Sequence, residues 1–192
     1  MSEDHTDRLP VDSEYELIRL QHGFLTRWSL PAKVRRCGYL LVTASAALPL
    51  VTFLPAAVRS TYLGTGPQVA RLTVTTLMLG SIFLLGTGGL GLLALVTYRS
   101  RFETVPERVA WSLVGLETVF SGMGLVTGTL TVVVTLGLVS VGYAGPGVVE
   151  SLRAAGIDPY RTGALVSVAA SSTATFCAGI VLSFLGFAPT VR

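Results

Sequence analysis

The stretch Trp111-Ser-Leu-Val-Gly-Leu-Glu-Thr-Val-Phe-Ser-Gly-Met-Gly124 lies in an apolar region that runs from Pro106 to about Tyr143. A helix crosses the hydrocarbon core of a bilayer in about 20 residues, so this region is longer than one untilted span requires. Its second half contains the run 132–139, Val-Val-Val-Thr-Leu-Gly-Leu-Val, which is too apolar to leave in water. The region therefore predicts a membrane-spanning helix that carries one carboxylate, Glu117.

The composition favours the same class of protein. The chain has 192 residues, of which 51% are hydrophobic and 13% are charged, whereas a soluble domain carries about 25% charged residues. Four apolar regions with short connections predict an all-α fold in residues 37–192, a membrane-embedded antiparallel four-helix bundle. The predicted spans cover about 38–58, 72–98, 108–143 and 162–187.

Residues 1–36 form a separate cytosolic N-terminal segment in this interpretation. Residues 1–10 are polar and acidic, which predicts disorder, and Asp12 or Ser13 is expected to cap a helix over about 12–28. The apolar face of that helix is expected to carry Leu17, Ile18, Phe24, Leu25 and Trp28. This amphipathic pattern favours an interfacial helix in the headgroup plane, and a helix packed on the protein's own cytosolic loops is the alternative.

The basic residues predict the orientation of the spans. With four spans both termini lie on one side, and that side has the larger number of basic residues. They are Arg27, Lys33, Arg35, Arg36, Arg99, Arg101, Arg108 and Arg192. The opposite side has Arg59, Arg71, Arg153 and Arg161. The positive-inside rule therefore places both termini in the cytoplasm of a protein of the cell membrane.

Pro49 stands near the middle of the first predicted span. Proline removes one backbone hydrogen bond and crowds the carbonyl four residues earlier, so a kink is expected there. The connection before the fourth span is expected to contain a short helix over about 148–155, which Gly156 and Pro159 end.

The fourth span carries small residues at every fourth position. They are Ser167, Ser171, Thr175, Gly179 and Ser183. On a helix this spacing makes one flat face, which lets another helix approach closely. Three uses are open at this point: packing within the bundle, dimerisation of identical chains, and a hydroxyl-lined path for a solute.

The third span has a second stripe of this kind. At helical spacing it contains Glu117, Ser121, Gly124, Gly128, Thr131 and Thr135. Gly124 and Gly128 form a GxxxG pair, which favours close helix packing. Glu117 is therefore expected to point toward protein, as an ionisable group within a span should.

The depth of Glu117 follows from the outer end of the third span. Counting back roughly 20–25 residues from Tyr143 puts the inner edge of the hydrocarbon near residues 118–123. Glu117 is then an interfacial ionisable residue at the cytosolic headgroup level, and an ion carrier in mid-membrane is disfavoured. There it is expected to be a solvated charge or part of a structural ion pair, and a role in gating or ion entry is the alternative. The expected partners in an ion pair are Arg35, Arg36, Arg99, Arg101 or Arg108. If Glu117 is such an interfacial charge, Glu117→Gln is expected to be nearly silent for folding and activity.

No pattern in the sequence predicts catalysis or a bound cofactor. Both histidines, His5 and His22, lie in the N-terminal segment, and no cluster has the spacing of a zinc, iron or haem site. The glycine-rich run 86–91 follows no strand, so it is not a nucleotide fingerprint. We therefore expect no enzyme activity, no metal, no cofactor and no nucleic acid partner.

These observations favour a non-catalytic subunit or scaffold. It would contact the lipid bilayer and associate through its small-residue helix faces with other membrane subunits or with itself as a homo-oligomer. The alternative is an oligomeric channel or transporter for a small solute, lined by the same faces. A further hypothesis is a sensor or regulator that acts through the N-terminal helix.

Overall fold

The computed structural model describes residues 14–26, 28–64, 66, 69–102 and 106–187. Residues 1–10, predicted to be disordered, and the predicted caps Asp12 and Ser13 lie outside these ranges. Within them the chain is helical and forms no strand, apart from a single antiparallel bridge between Leu72 and Thr162. The α-helices are α1 (Glu14–His22), α2 (Leu30–Ala44), α3 (Ala47–Thr52), α4 (Ala56–Tyr62), α5 (Thr73–Arg101), α6 (Glu107–Ser121), α7 (Gly128–Ser140), α8 (Pro146–Ala154) and α9 (Val168–Leu185).

Within the described ranges, four helical stretches are long and apolar enough to cross a membrane. They are Leu30–Thr52, Thr73–Arg101, Glu107–Ala144 and Val168–Leu185. The first begins earlier than its predicted span because Ser29 caps it, accepting a hydrogen bond from the Ala32 N–H. The fourth begins later than predicted because Ser167 caps it in the same way, through the Ala170 N–H.

The first of these stretches is interrupted shortly before Pro49, which cannot bond to the carbonyl four residues earlier. Helix α2 ends at Ala44 and α3 begins at Ala47, and the residue four positions before Pro49 is Ser45. The Ser45 carbonyl accepts a hydrogen bond from the Leu48 N–H at 3.2 Å instead. The kink expected from Pro49 is therefore a break between two helices.

The third stretch is continuous from α6 to α7. The two helices are joined by a π-helical segment, Gly122–Thr127, and the sequence alone did not decide between one long helix and a break near Ser121–Gly124. A π-helical turn inserts an extra residue into the helix and is frequent at functional sites. Here it begins five residues after Glu117.

Glycines bring the long helices into close contact. Helix α2 packs against α5 and α9. A Cβ added at Gly179 of α9 would stand 2.7 Å from the backbone nitrogen of Val42 and 2.8 Å from the carbonyl oxygen of Gly38. A Cβ added at Gly88 of α5 would stand 2.6 Å from the Cα of Gly124. These backbone approaches set the spacing between the four long helices.

Helix α1 packs on α6. Its buried side chains are Tyr15, Ile18 and Arg19, whereas Leu17 is 48% exposed and Leu20 is 53% exposed. The expected helix over 12–28 is wrong in its C-terminal limit, because α1 ends at His22. The chain then turns, with Leu25 in the left-handed region at φ 55°. The predicted apolar face is therefore divided between a helix and a turn.

Candidate functional site

Glu117 lies at the centre of a buried group of polar side chains. Its neighbours are Lys33 from α2, Arg19 and Tyr15 from α1, and Ser121 one turn further along α6. Glu117 is 1% exposed and Lys33 is 0% exposed. We call these five residues the Glu117 cluster.

Lys33 uses all the donors of its ammonium group. The Nζ atom donates to Glu117 Oε1 at 2.6 Å, to Ser121 Oγ at 3.2 Å and to the Phe24 carbonyl oxygen at 2.9 Å. An ammonium group has three donors and no acceptor. A fully buried lysine is tolerated when it is paired in this way, because an isolated buried charge costs several kcal/mol or more.

The Glu117 carboxylate receives hydrogen bonds on both oxygens. Tyr15 Oη donates to Oε2 at 2.5 Å, and Arg19 Nε lies 3.0 Å from Oε1 and 3.1 Å from Oε2. A second nitrogen of Arg19, Nη2, donates to the Trp28 carbonyl oxygen at 2.5 Å. The cluster therefore holds both α1 and the turn that follows it against α6.

A second set of ionic contacts surrounds the cluster. Glu16 Oε2 lies 3.8 Å from Arg19 Nη1, and Glu16 Oε1 lies 3.1 Å from Arg99 Nη2 at the end of α5. The Arg99 guanidinium also stands over the Tyr15 ring, 4.0 Å from its centroid. Helix α1 is thus bound to α5 and α6 through charged groups, and Glu117 of α6 also binds Lys33 of α2.

The protonation of Tyr15 fits its role as a donor. Burial raises the pKa of Tyr15 above its ordinary value, and the hydrogen bond to Glu117 and the negative charge there raise the pKa further. A raised pKa favours the protonated phenol, which is the form that donates the hydrogen bond to Glu117. The two oxygens of this carboxylate accept hydrogen bonds from Lys33, Arg19 and Tyr15, so the carboxylate links α1, α2 and α6.

Sequence reasoning placed the wrong partners around Glu117. The expected partners were Arg35, Arg36, Arg99, Arg101 and Arg108, but the side chains that bind the carboxylate are Lys33, Arg19 and Tyr15. Arg99 pairs with Glu16 instead. The physical reason is the reversal of the chain after α1, which brings residues about a hundred positions earlier onto α6. The position of Glu117 relative to a membrane stays a prediction.

A signal for Lys33 was present in the sequence. Lys33, Cys37, Leu41 and Ala44 lie on one face of α2, and all four are buried. Lys33 is also the one lysine of the chain. A lysine in register with an apolar face requires a buried acidic partner, and Glu117 was the acid expected to point inward.

The predicted small residues of the third span lie between helices of this chain. Gly124 faces Gly88, and a Cβ added at Gly128 would stand 2.7 Å from two side-chain carbons of Leu85. Both pairs join the third stretch to α5. The GxxxG pair therefore serves packing within the chain.

The predicted row of the fourth span is also turned inward. Ser171 and Thr175 are fully buried, Ser183 is 8% exposed, and Gly179 contacts α2. Their hydroxyls donate to the backbone of their own helix: Ser171 to Ser167, Thr175 to Ser171 and Ser183 to Gly179. Ser167 itself caps α9. These hydroxyls are satisfied without a solute.

Among the residues that the structure describes, no group of three or more histidine, cysteine, aspartate or glutamate side chains is arranged to hold a metal ion. Comparison with known proteins gave no relative: no family model, no curated protein and no solved structure matches this chain.

Proposed function

We propose that this chain is a multi-pass protein of the cell membrane, an antiparallel four-helix bundle with both termini in the cytoplasm. The four long apolar helices support the membrane assignment. The excess of basic residues on the side of the termini supports the orientation. Helix α1 then lies on the cytoplasmic side, where it covers the part of α6 that projects past the hydrocarbon.

Within that architecture, we propose a non-catalytic subunit or scaffold that associates with a second copy or with other membrane subunits. Two outward-facing glycines carry this proposal. A Cβ added at Gly115 or Gly122 would meet no atom within 4 Å. Glycine in a helix costs roughly 0.5–1 kcal/mol relative to alanine, and no contact within the chain offsets that cost at these two positions.

The two glycines lie seven residues apart, which is two helical turns, so they share one face of the third stretch. Val119 lies between them and is 61% exposed. Small residues around an exposed apolar side chain let the backbone of another membrane helix approach. The proposed interface is therefore the Gly115–Val119–Gly122 face, and the small-residue rows expected from sequence serve internal packing.

Site-specific photo-crosslinking in native membranes tests the proposal. Val119 would be replaced by the photoreactive amino acid benzoylphenylalanine, with Phe83 of α5, which is 68% exposed, as the matched control position. We expect a discrete crosslinked protein band from position 119 and none from position 83. Gly115→Leu should abolish that band, whereas Gly137→Leu, at another open glycine, should preserve it.

Two results would contradict the proposal. One is crosslinking to lipid alone from position 119. The other is solute flux through liposomes that contain only the purified chain, which would favour an oligomeric channel or transporter. The small-residue row of the fourth span offers a test of the channel or transporter. If Gly179→Leu still folds but loses the flux, that row lines the solute path.

A further inference from the structure

A groove runs along α2 beside the π-helical segment. Its volume is about 510 Å³. One wall is formed by Arg36, Tyr39 and Thr43, which lie on one face of α2, and the opposite wall includes Leu125 and Thr129. From Arg36 to Thr43 the wall is about 10 Å long, at 1.5 Å per residue.

The walls of the groove present an apolar surface. The Thr43 hydroxyl donates to the Tyr39 carbonyl oxygen at 2.9 Å, and the Thr129 hydroxyl donates to the Leu125 carbonyl oxygen. Each threonine hydroxyl is therefore satisfied by its own helix and needs no partner in the groove, and most of the other lining residues are apolar. A hydrocarbon chain fits such a surface better than a polar solute.

A positive charge stands at the end of the groove nearest α1. The Arg36 guanidinium lies 3.3 Å from the centroid of the Trp28 ring. Among the described residues, no carboxylate forms an ion pair with Arg36. A guanidinium that contacts a ring through its face can still donate from its edge, and those donors match the oxygens of a phosphate group.

The Glu117 cluster fixes this end of the groove. Arg19 donates to the Trp28 carbonyl and Lys33 donates to the Phe24 carbonyl. These bonds fix the backbone of the turn that carries Trp28, and the Trp28 ring in turn contacts the half-buried Arg36.

We propose that this groove binds an anionic phospholipid of the leaflet on the α1 side, with its phosphate on Arg36 and one acyl chain between α2 and the third stretch. The inference rests on the proposed membrane location. Charge complementarity selects the occupant, because the groove is apolar along its length and carries one unpaired cation where a headgroup would lie. Tyr39, 51% exposed, adds a phenol beside that position.

Native mass spectrometry of the detergent-purified chain, titrated with phosphatidylglycerol or phosphatidylcholine, tests this site. Wild type is expected to retain phosphatidylglycerol preferentially. Arg36→Gln should weaken its retention roughly tenfold or more, since a charge-assisted hydrogen bond is lost. Arg108→Gln removes an exposed charge on the same side, outside the groove, and should leave retention unchanged.

A second pair of variants tests the acyl chain without changing charge. Thr129→Trp fills the groove and should reduce phosphatidylglycerol retention, whereas Leu130→Trp, at a position 61% exposed outside the groove, should not. Equal retention of the two lipids by wild type, or wild-type retention in both Arg36→Gln and Thr129→Trp, would overturn the lipid site. Such a result would leave the proposed membrane location unaffected, whereas failure to insert into liposomes at all would contradict that location.

Discussion

Lys33 Nζ lies 2.6 Å from Glu117 Oε1, and both side chains are buried between α1, α2 and α6. This pair joins the first and third long helices at the end where α1 packs. Because each partner is shielded from water, the removal of one leaves the other charged and buried. The buried pair therefore predicts that Glu117→Gln is destabilising, which is the opposite of the expectation from sequence.

Arg19→Gln should release α1 from the long helices. The variant loses the hydrogen bonds to Glu117 and to the Trp28 carbonyl, while Lys33 and Tyr15 still bind the carboxylate. Hydrogen bonds to charged groups contribute about 1.5–3 kcal/mol. Hydrogen–deuterium exchange should show faster exchange of the α1 amides and unchanged exchange in α9. Arg101→Gln, at an exposed residue of α5, is the control, and identical α1 protection in both variants would argue against the attachment.

Gly88→Ala and Gly86→Ala should have opposite effects on thermal stability. A Cβ at Gly88 would stand 2.6 Å from the Cα of Gly124, whereas a Cβ at Gly86 would meet no atom within 4 Å. Overpacking costs about 1–3 kcal/mol, and Gly86→Ala gains helix propensity of up to about 1 kcal/mol. The melting temperature in mild detergent measures the difference. A stable Gly88→Ala protein would contradict the close approach of α5 and the third stretch.

Tyr160 should make the stability depend on alkaline pH. Its hydroxyl donates to the Val139 carbonyl at 2.6 Å and accepts from the Gly142 N–H at 3.0 Å. Burial raises the pKa of Tyr160 from 10.0 to about 12. The folded state therefore favours the neutral phenol, so its contribution is complete below pH 10 and is lost as the pH rises toward about 12.

Tyr160→Phe is expected to lower the free energy of unfolding by about 1–3 kcal/mol and to remove that alkaline dependence. The control is Tyr143→Phe, which removes an exposed hydroxyl bonded to the Leu50 carbonyl. Melting temperatures recorded across the alkaline range distinguish the two. An alkaline transition that persists unchanged in Tyr160→Phe would show that another group causes it.

The four apolar helices could be predicted because each is encoded by a local run of residues. The same holds for the helix break before Pro49, since proline acts on the carbonyl four residues earlier. The small-residue rows were also visible at helical spacing. The spacing alone does not show whether the helix packed on such a row belongs to the same chain. The contacts of Gly179 and Gly124 show that both glycines pack on helices of this chain.

The Glu117 cluster could not be assembled from local patterns. Its members come from three helices, and the contact between Tyr15 and Glu117 spans 102 positions. The turn after His22, with Leu25 at positive φ, decides where α1 lies. A continuous amphipathic pattern predicts no turn there, so sequence reasoning extended the helix to Trp28. Glu117 was expected to face protein, but its partners depend on that turn.

The stability of Glu117→Gln, Lys33→Met and the double variant tests the central claim most directly. The free energy of unfolding of each purified protein would be measured in mild detergent. Glu107→Gln, on the same helix, is the control. We expect Glu117→Gln alone to cost about 3–5 kcal/mol, because Lys33 is left buried without its acid, and the double variant to regain a large part of that loss. A Glu117→Gln protein as stable as Glu107→Gln, or a double variant whose loss is the sum of the two single losses, would contradict the buried pair.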